Sequence, residues 1–309
     1  MVFNWPDNVL WKRKLFNGRL YKPKQANDAM HTYKFTLPST LLKQVGIAAL
    51  YASLLYLGDL FFESDAIIGH FESASGLALA ALLIGGKQYA WGIFFGAALT
   101  NTIQGDSLLE MAIVASGDTL QALCGYWLLN RKGNFDLRIQ SLHDYFRLIM
   151  LGGFASVLTC ALAIHIALLV FGLLPTEGYF ESLLHWFLAD TLGIVLVVPL
   201  VLVWWQARID WRETKKIFEA CLLLGLVILV GQIIFFDWLP NIIGHTAQSY
   251  WMFLLITWVA IVLGARGTTI ALFIVANQAL LGAMAGSGFF ANDIATSSLI
   301  SFWFYMLTQ

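Results

Sequence analysis

Two aspartates lie inside long apolar stretches of the chain. Asp118 occurs in VASGDTLQAL and Asp190 in HWFLADTLGIVLVVP, and neither apolar run contains a lysine or an arginine. A charged side chain near the centre of a bilayer costs about 3 kcal/mol or more, so it is expected to face other helices and to have a partner or a bound proton. The two aspartates therefore predict a polar chamber that holds a ligand, a proton or water. The alternative is a hydrogen-bond network that only fixes how the helices pack.

Counting residues from the nearest loop places other polar side chains at a similar depth. His165 lies 13 residues before Gly178 and Asp190 lies 12 residues after it, so two antiparallel helices would bring these side chains together. Amide side chains add hydrogen-bonding capacity: Asn101, Gln121 and Asn277. The candidates for ligand binding or signal sensing are therefore Asp190, Asp118, His165, Asn101 and Asn277.

The sequence offers little for catalysis or for a cofactor. His185 lies four residues after Glu181, which predicts an ordinary surface pair between these two side chains. Because His185 lies nearer the surface than His165, the two histidines are not expected to bind one haem between them. The three cysteines fall in separate apolar segments and are expected to pack rather than to bind a metal: Cys124, Cys160 and Cys221. No glycine-rich phosphate loop and no Ser-His-Asp arrangement is present. We expect no cofactor, no metal site and no enzymatic activity in this region.

The elements that position these residues follow from the composition. Of the 309 residues, 59% are hydrophobic and only 12% are charged. A soluble domain has about a quarter of its residues charged. Apolar runs of about 14–30 residues recur along the chain, which is typical of transmembrane helices. They are continuous rather than alternating, so a β-barrel is not expected. The predicted fold is an all-α, polytopic transmembrane helical bundle.

About ten helical segments are predicted. They are 40–62, 73–86, 89–103, 108–130, 148–174, 182–206, 217–236, 250–264, 268–285 and 294–309. Two pairs are short for a crossing, 73–86 with 89–103 and 250–264 with 268–285, because 14 residues of helix rise only about 21 Å against a hydrocarbon core of about 30 Å. These two hairpins share a glycine turn, a basic residue and a late asparagine, which suggests an internal repeat.

The basic residues predict the orientation. All 18 Lys and Arg residues fall in the amino-terminal arm, at the start of the first segment (Lys43), or in the second, fourth, sixth and eighth connections, and the other connections carry only acidic residues. Cytoplasmic loops attract Lys and Arg, so both termini are expected in the cytoplasm. The chain then divides into a basic, aromatic cytoplasmic arm, residues 1–39, and a transmembrane domain, residues 40–309.

Small residues and a proline predict packing and bending. Gly92 and Gly96 form a GxxxG face, which favours close helix packing. Pro199 lies inside a predicted helix, where it removes a backbone hydrogen bond and is expected to introduce a kink that can act as a hinge.

Three stretches carry a family resemblance: SASGLALAALLIGGKQYAWGIFFGAALTN, SGDTLQALCGYWLLNRK and WFLADTLGIVLVVPLVL. In order and type they resemble the membrane-associated sensor domain of the first type (MASE family), a bacterial input module, over about residues 40–309. The matching positions are Gly76, Lys87, Trp91, Gly92, Asn101, Trp186, Asp190, Gly193 and Pro199. The resemblance adds Trp186 to the sensing candidates and Gly193 to the packing or hinge positions. The sequence departs from the family in its longer basic arm and in Asp118, where the family often has asparagine.

The resemblance implies a sensory function. Family members usually control a diguanylate cyclase, phosphodiesterase or histidine kinase domain, which implies a homodimer in the bacterial inner membrane and an output domain after the last helix. The expected partners are the lipid bilayer and an unknown small ligand or membrane protein, and no nucleic acid. Two other functions stay open: a small-molecule transporter or substrate-binding membrane subunit, and a scaffold that senses a partner membrane protein through its GxxxG face.

Overall fold

The described part of the computed structural model comprises residues 37–62, 72–131, 135–139, 141–206, 214–238, 245–290 and 300–308, and these ranges contain helices and turns but no β-strand. The all-α prediction is thus confirmed for these residues. The chain divides into two units, residues 1–40 and 41–309. Most of the predicted basic arm, residues 1–36, lies outside the described residues. The number of membrane crossings and the sidedness of the termini stay predictions.

The helices follow the predicted segments closely in the first half of the chain. They are α1 (Leu37–Phe62), α2 (Ser73–Gly85), α3 (Ala90–Gln104), α4 (Leu108–Asn130), α5 (Leu142–Arg147), α6 (Ser156–Val170), α7 (Tyr179–Trp205), α8 (Thr214–Phe235), α9 (His245–Met284) and α10 (Ile300–Thr308). A 3-10 turn, Lys87–Tyr89, joins α2 to α3, and a π-helical stretch, Leu148–Ala155, joins α5 to α6. The fifth predicted segment therefore begins earlier than expected, because Ser141 caps α5 by accepting from the Asp144 N–H.

Five helical stretches in the described part of the chain are long and apolar enough to cross a membrane. They are Thr40–Gly58, Leu142–Val170, Tyr179–Trp205, Ile217–Phe235 and Trp251–Met284. The outer faces carry exposed large apolar side chains, among them Leu120, Ile166 and Leu254. Extended apolar surfaces of this kind mark contact with a membrane rather than with water.

The GxxxG face of α3 packs against α1. A Cβ on Gly92 would lie 2.9 Å from the Gln44 carbonyl oxygen, and a Cβ on Gly96 would lie 2.8 Å from the Ala48 carbonyl oxygen. Both contacts advance by four residues, so α1 and α3 run in the same direction. The scaffold hypothesis requires this face to be free to contact a partner protein. It is not free, because α1 of the same chain occupies it.

The segment 245–284 folds back on itself at Gly264. Phe253 and Phe235 both pack on Tyr305, with ring centroids 5.3 and 6.3 Å apart, and a Cβ on Gly282 would lie 1.9 Å from the Phe235 carbonyl oxygen. A continuous helix would separate residues 253 and 282 by about 43 Å. The reversal occurs at Gly264, whose φ of 62° and ψ of −163° are not helical. The second predicted hairpin is therefore formed with its turn at this glycine.

The two short hairpins share an arrangement of helices. Gln278 donates from Nε2 to the Ile228 carbonyl at 2.9 Å, and Gly282 contacts Phe235, so the second half of α9 runs alongside α8 in the same direction. The same relation holds between α3 and α1. In both cases one helix lies, in chain order, between two parallel neighbours, which matches the similarity between the two hairpin sequences.

A Gly264→Ala variant is expected to be less stable than the parent by about 1–3 kcal/mol, because the backbone at this position lies in a region that only glycine adopts without strain. The measurement is thermal unfolding of the purified protein in detergent. The control is Gly225→Ala in α8, where an added Cβ meets no atom within 4 Å. Equal unfolding temperatures for the two variants would contradict the assignment of the turn.

Candidate functional site

α2 begins beside the middle of α7. The Glu72 N–H donates to the Ala189 carbonyl at 3.0 Å, and α2 starts at the next residue. A Cβ on Gly193 would lie 1.8 Å from the Glu72 carbonyl oxygen, and one on Gly76 would lie 2.3 Å from the Gly193 oxygen, so the two backbones are in contact. The 13 residues of α2 rise only about 20 Å, less than a bilayer core. The amino-terminal end of α2 is therefore an interior feature of the bundle.

Asp190 lies on α7 at this level and is fully partnered. The Ser75 hydroxyl donates to Oδ1 at 2.5 Å, and the Trp186 indole donates from Nε1 to Oδ2 at 3.0 Å. Asp190 is only 2% exposed. The first turn of α2 adds the positive end of its helix dipole, which favours a negative charge nearby. A carboxylate is tolerated in this apolar helix because a short neighbouring helix begins beside it and supplies a hydroxyl and a dipole.

Asp118 lies on α4 and faces the same interior. Its Oδ2 accepts a hydrogen bond of 3.1 Å from the hydroxyl of Tyr51 on α1, and it interacts electrostatically with Asp190 and Glu72. Unlike Asp190, the Asp118 side chain is only half-buried. The structure thus brings the two predicted aspartates to one site, although they differ in accessibility.

Gln121 lies three residues after Asp118, on the same face of α4. Its side chain is 3% exposed and interacts with the Asp190 carboxyl. Its amide oxygen Oε1 has no hydrogen-bond partner among the described residues. We refer to the residues that meet here as the polar cluster: Tyr51, Glu72, Ser75, Asp118, Gln121, Trp186 and Asp190.

His165 adjoins the polar cluster through Trp186. Its Nδ1 lies 3.0 Å from the Ala161 carbonyl and its Nε2 lies 3.2 Å from the Ser182 hydroxyl. Its ring packs edge-on against the Trp186 ring at 5.2 Å. His165 and Asp190 therefore lie close to each other, as predicted, but both contact the Trp186 indole rather than each other.

The two predicted asparagines bond within their own helices. Asn101 donates to the Ala97 carbonyl at 2.8 Å and Asn277 donates to the Phe273 carbonyl at 2.7 Å. On α9 it is the next residue, Gln278, that reaches a neighbouring helix.

His185 interacts electrostatically with Glu181, as predicted, but it is not a surface residue. The histidine is only 8% exposed, and neither ring nitrogen has a hydrogen-bond partner in the described part of the chain. The predicted surface location is wrong because α7 is enclosed on most sides by other helices.

The residues predicted for packing or bending lie at close contacts. Gly193 forms the α2–α7 crossing, and Pro199 is buried within α7, which continues to Trp205. A hinge at Pro199 stays a prediction. The structure also brings together Cys124 of α4 and Cys160 of α6, whose thiols interact. Sequence reasoning had treated these cysteines as isolated.

The polar cluster contains three carboxyl groups and no basic side chain among the described residues. Its three carboxyl groups interact electrostatically, and the described Lys and Arg side chains lie elsewhere: Lys43, Lys87, Arg131, Arg138 and Arg266 are exposed, and Arg147 pairs with Asp144. In the described ranges no group of three or more His, Cys, Asp or Glu side chains is placed to hold a metal ion. The chemistry that this arrangement favours is the binding of positive charge or of hydrogen-bond donors.

The MASE1 (membrane-associated sensor domain 1) family matches residues 41–309. The chain belongs to the MASE1 family. MASE1 is a sensory rather than a catalytic domain family, and together with the five apolar helices this membership makes the chain a multi-pass membrane protein of the sensor class. No curated protein and no solved structure matches the chain.

The geometry gives physical reasons for the MASE1 motif. Trp186 and Asp190 are one helical turn apart, so the indole can donate to the carboxylate. Gly193 and Gly76 lack the side chains that would separate α7 from α2. Three members of the cluster were not anticipated from the sequence: Tyr51, Glu72 and Ser75. The signal for Ser75 is its position in the first turn of a helix too short to cross.

Proposed function

We propose that this MASE1 chain is the sensory input domain of a bacterial inner-membrane signalling protein and that the polar cluster receives the signal. The cluster joins α1, α2, α4 and α7, so a ligand or proton bound there contacts four helices at once. Small shifts of helices are an established way of switching between two states. The observation that carries the proposal is the link between Asp190 and the start of α2, where one carboxylate holds two helices together.

A series of aromatic contacts connects the cluster to the last described helix. Phe187 follows Trp186 on α7, and its ring packs on Phe154 at 5.3 Å. Phe154 in turn packs on Trp303 of α10 at 5.5 Å. A shift of α7 at the cluster is thereby passed to α10, which we propose leads to a cytoplasmic output domain of the diguanylate cyclase, phosphodiesterase or histidine kinase type in a homodimer.

The position of the basic connections supports cytoplasmic termini. Gln44 donates to the Gln88 carbonyl, and Gln206 donates to the Leu137 carbonyl, both at 2.8 Å. Because α2 runs parallel to α7 from Ala189 onward, residue 88 lies at the same end of the bundle as residue 206. The described residues that flank the Lys- and Arg-rich connections therefore lie at one end of the bundle, which supports a cytoplasmic face there.

The test uses the full-length signalling protein with its output domain. An Asp190→Asn variant keeps the shape of the side chain but cannot ionise, and we expect the difference between the lowest and highest output across growth conditions to shrink by about fivefold or more. Output is measured as cyclic dinucleotide or phosphotransfer, according to the attached domain. The control is Glu181→Gln, an exposed carboxylate on the same helix. Normal regulation by Asp190→Asn at normal membrane abundance would overturn the proposal.

A second candidate function is transport, favoured by the interior start of α2. Transporters commonly place the amino-terminal ends of discontinuous helices at a binding site near the bilayer midplane. Reconstituted protein that accumulates a substrate in sealed vesicles, with the accumulation lost in Asp190→Asn, would favour transport over sensing.

A further inference from the structure

We propose that the polar cluster binds a small organic ammonium ion, held by the Asp118 carboxylate and the Gln121 amide oxygen. This inference rests on the proposed sensory function and specifies the ligand class. The two residues are three apart on α4 and therefore project from the same face of the helix.

The first reason is the inequality of the two aspartates. Both oxygens of Asp190 already accept hydrogen bonds, from Ser75 and Trp186. Asp118 receives the Tyr51 hydroxyl on Oδ2 and keeps a partly accessible side chain. Asp190 therefore holds the helices together, whereas the half-buried Asp118, with one hydrogen bond to Tyr51, is the aspartate that we propose a ligand reaches.

The second reason is the unpartnered amide oxygen of Gln121. A buried acceptor without a partner costs free energy, and natural proteins rarely leave one unless a ligand or water completes it. Gln121 is 3% exposed, its side chain interacts with Asp190, and its Oε1 has no hydrogen-bond partner among the described residues. An acceptor in this position requires a donor, and an ammonium group supplies up to three N–H donors together with a positive charge.

The third reason separates an ammonium ion from a metal ion. A calcium or magnesium ion needs several oxygen ligands at about 2.0–2.6 Å from one centre. The described residues contain no group of three His, Cys, Asp or Glu side chains placed to do this. An organic ammonium ion makes N–H···O bonds of about 2.7–3.2 Å in separate directions, so it can join acceptors on different helices.

The test measures binding to the purified full-length protein in detergent by its unfolding temperature and by calorimetry. The probes are methylamine, ethanolamine and putrescine, with choline as a cation that lacks N–H donors and with sodium and potassium chloride as ionic controls. We expect at least one primary amine to raise the unfolding temperature saturably, whereas choline and the alkali salts do not. Asp118→Asn and Gln121→Met are each expected to weaken amine binding by about tenfold or more, as for the loss of a charge-assisted hydrogen bond.

Glu110→Gln, a carboxylate on the same helix outside the cluster, is the matched control and is expected to bind as the parent does. If Asp118→Asn does not fold, Gln121→Met, which keeps all three carboxyl groups, decides the question alone. Absence of any effect of the amines, an equal effect of alkali ions or of pH alone, or unchanged binding by Gln121→Met would each overturn the ammonium site. Amine binding is measured without the activity of the output domain, so a negative binding result would not contradict the proposed sensory function. In the same way, normal regulation by Asp190→Asn would contradict the sensory function but not a measured amine site.

Discussion

A Gly193→Ala variant is expected to lose about 1–3 kcal/mol of stability or more, which is typical of inserting atoms into a packed interior. The new Cβ would lie 1.8 Å from the Glu72 carbonyl oxygen and 2.6 Å from the Glu72 carbonyl carbon. Both are backbone atoms of the residue that caps α2, so no side-chain rotation relieves the overlap. α2 must move away from α7, and Ser75 then moves away from Asp190.

The measurement is the unfolding temperature of the purified protein in detergent, with Gly225→Ala as the control because its Cβ meets no atom within 4 Å. Gly76→Ala is expected to behave like Gly193→Ala, since its Cβ would lie 2.3 Å from the Gly193 oxygen. If Gly193→Ala unfolds at the temperature of Gly225→Ala, the close crossing of α2 and α7 is not present in the protein.

The second prediction compares two neutral substitutions of Asp190. Asp190→Leu removes the acceptor of the Ser75 hydroxyl and of the Trp186 indole, whereas Asp190→Asn retains one amide oxygen. Because neither variant carries a charge, their difference isolates the hydrogen bonds. Each buried donor left without a partner costs about 1–3 kcal/mol, so Asp190→Leu is expected to be the less stable variant by about that amount.

Chemical unfolding in mixed micelles, followed by tryptophan fluorescence, measures the difference. The matched control is the pair Glu181→Leu and Glu181→Gln on the same helix, where the exposed position predicts little difference in stability between the two. A stability of Asp190→Leu equal to or above that of Asp190→Asn would show that the carboxylate does not hold α2 and α7 together.

The sequence predicted the helices best where an apolar run has a polar cap. The predicted segment 108–130 matches α4, whose first turn is capped by Ser107 accepting from the Glu110 N–H. The predicted segments 250–264 and 268–285 place the turn just after Gly264, next to its observed position. Apolar periodicity does not identify which glycine reverses the chain. Backbone angles at Gly264, rather than its neighbours' hydropathy, determine that point.

The site was predictable in part. Trp186 and Asp190 lie on one helix, so their spacing alone allows contact. Depth counting misses Ser75 because it assumes that every helix begins at a membrane surface, whereas α2 begins in the interior. The sequence predicts Asn277 rather than Gln278 because successive helical residues point about 100° apart and hydropathy does not fix the rotation of a uniformly apolar helix.

The crossing of Gly76 and Gly193 has a consequence for how such sensors diversify. Both residues already lack a side chain, so an enlargement at one position has no compensating reduction at the other. Homologues that respond to different stimuli are therefore expected to vary at other positions and to retain both glycines. Chimeras that exchange α2 or α7 between such homologues are expected to fold, because both helices keep the glycines through which they pack.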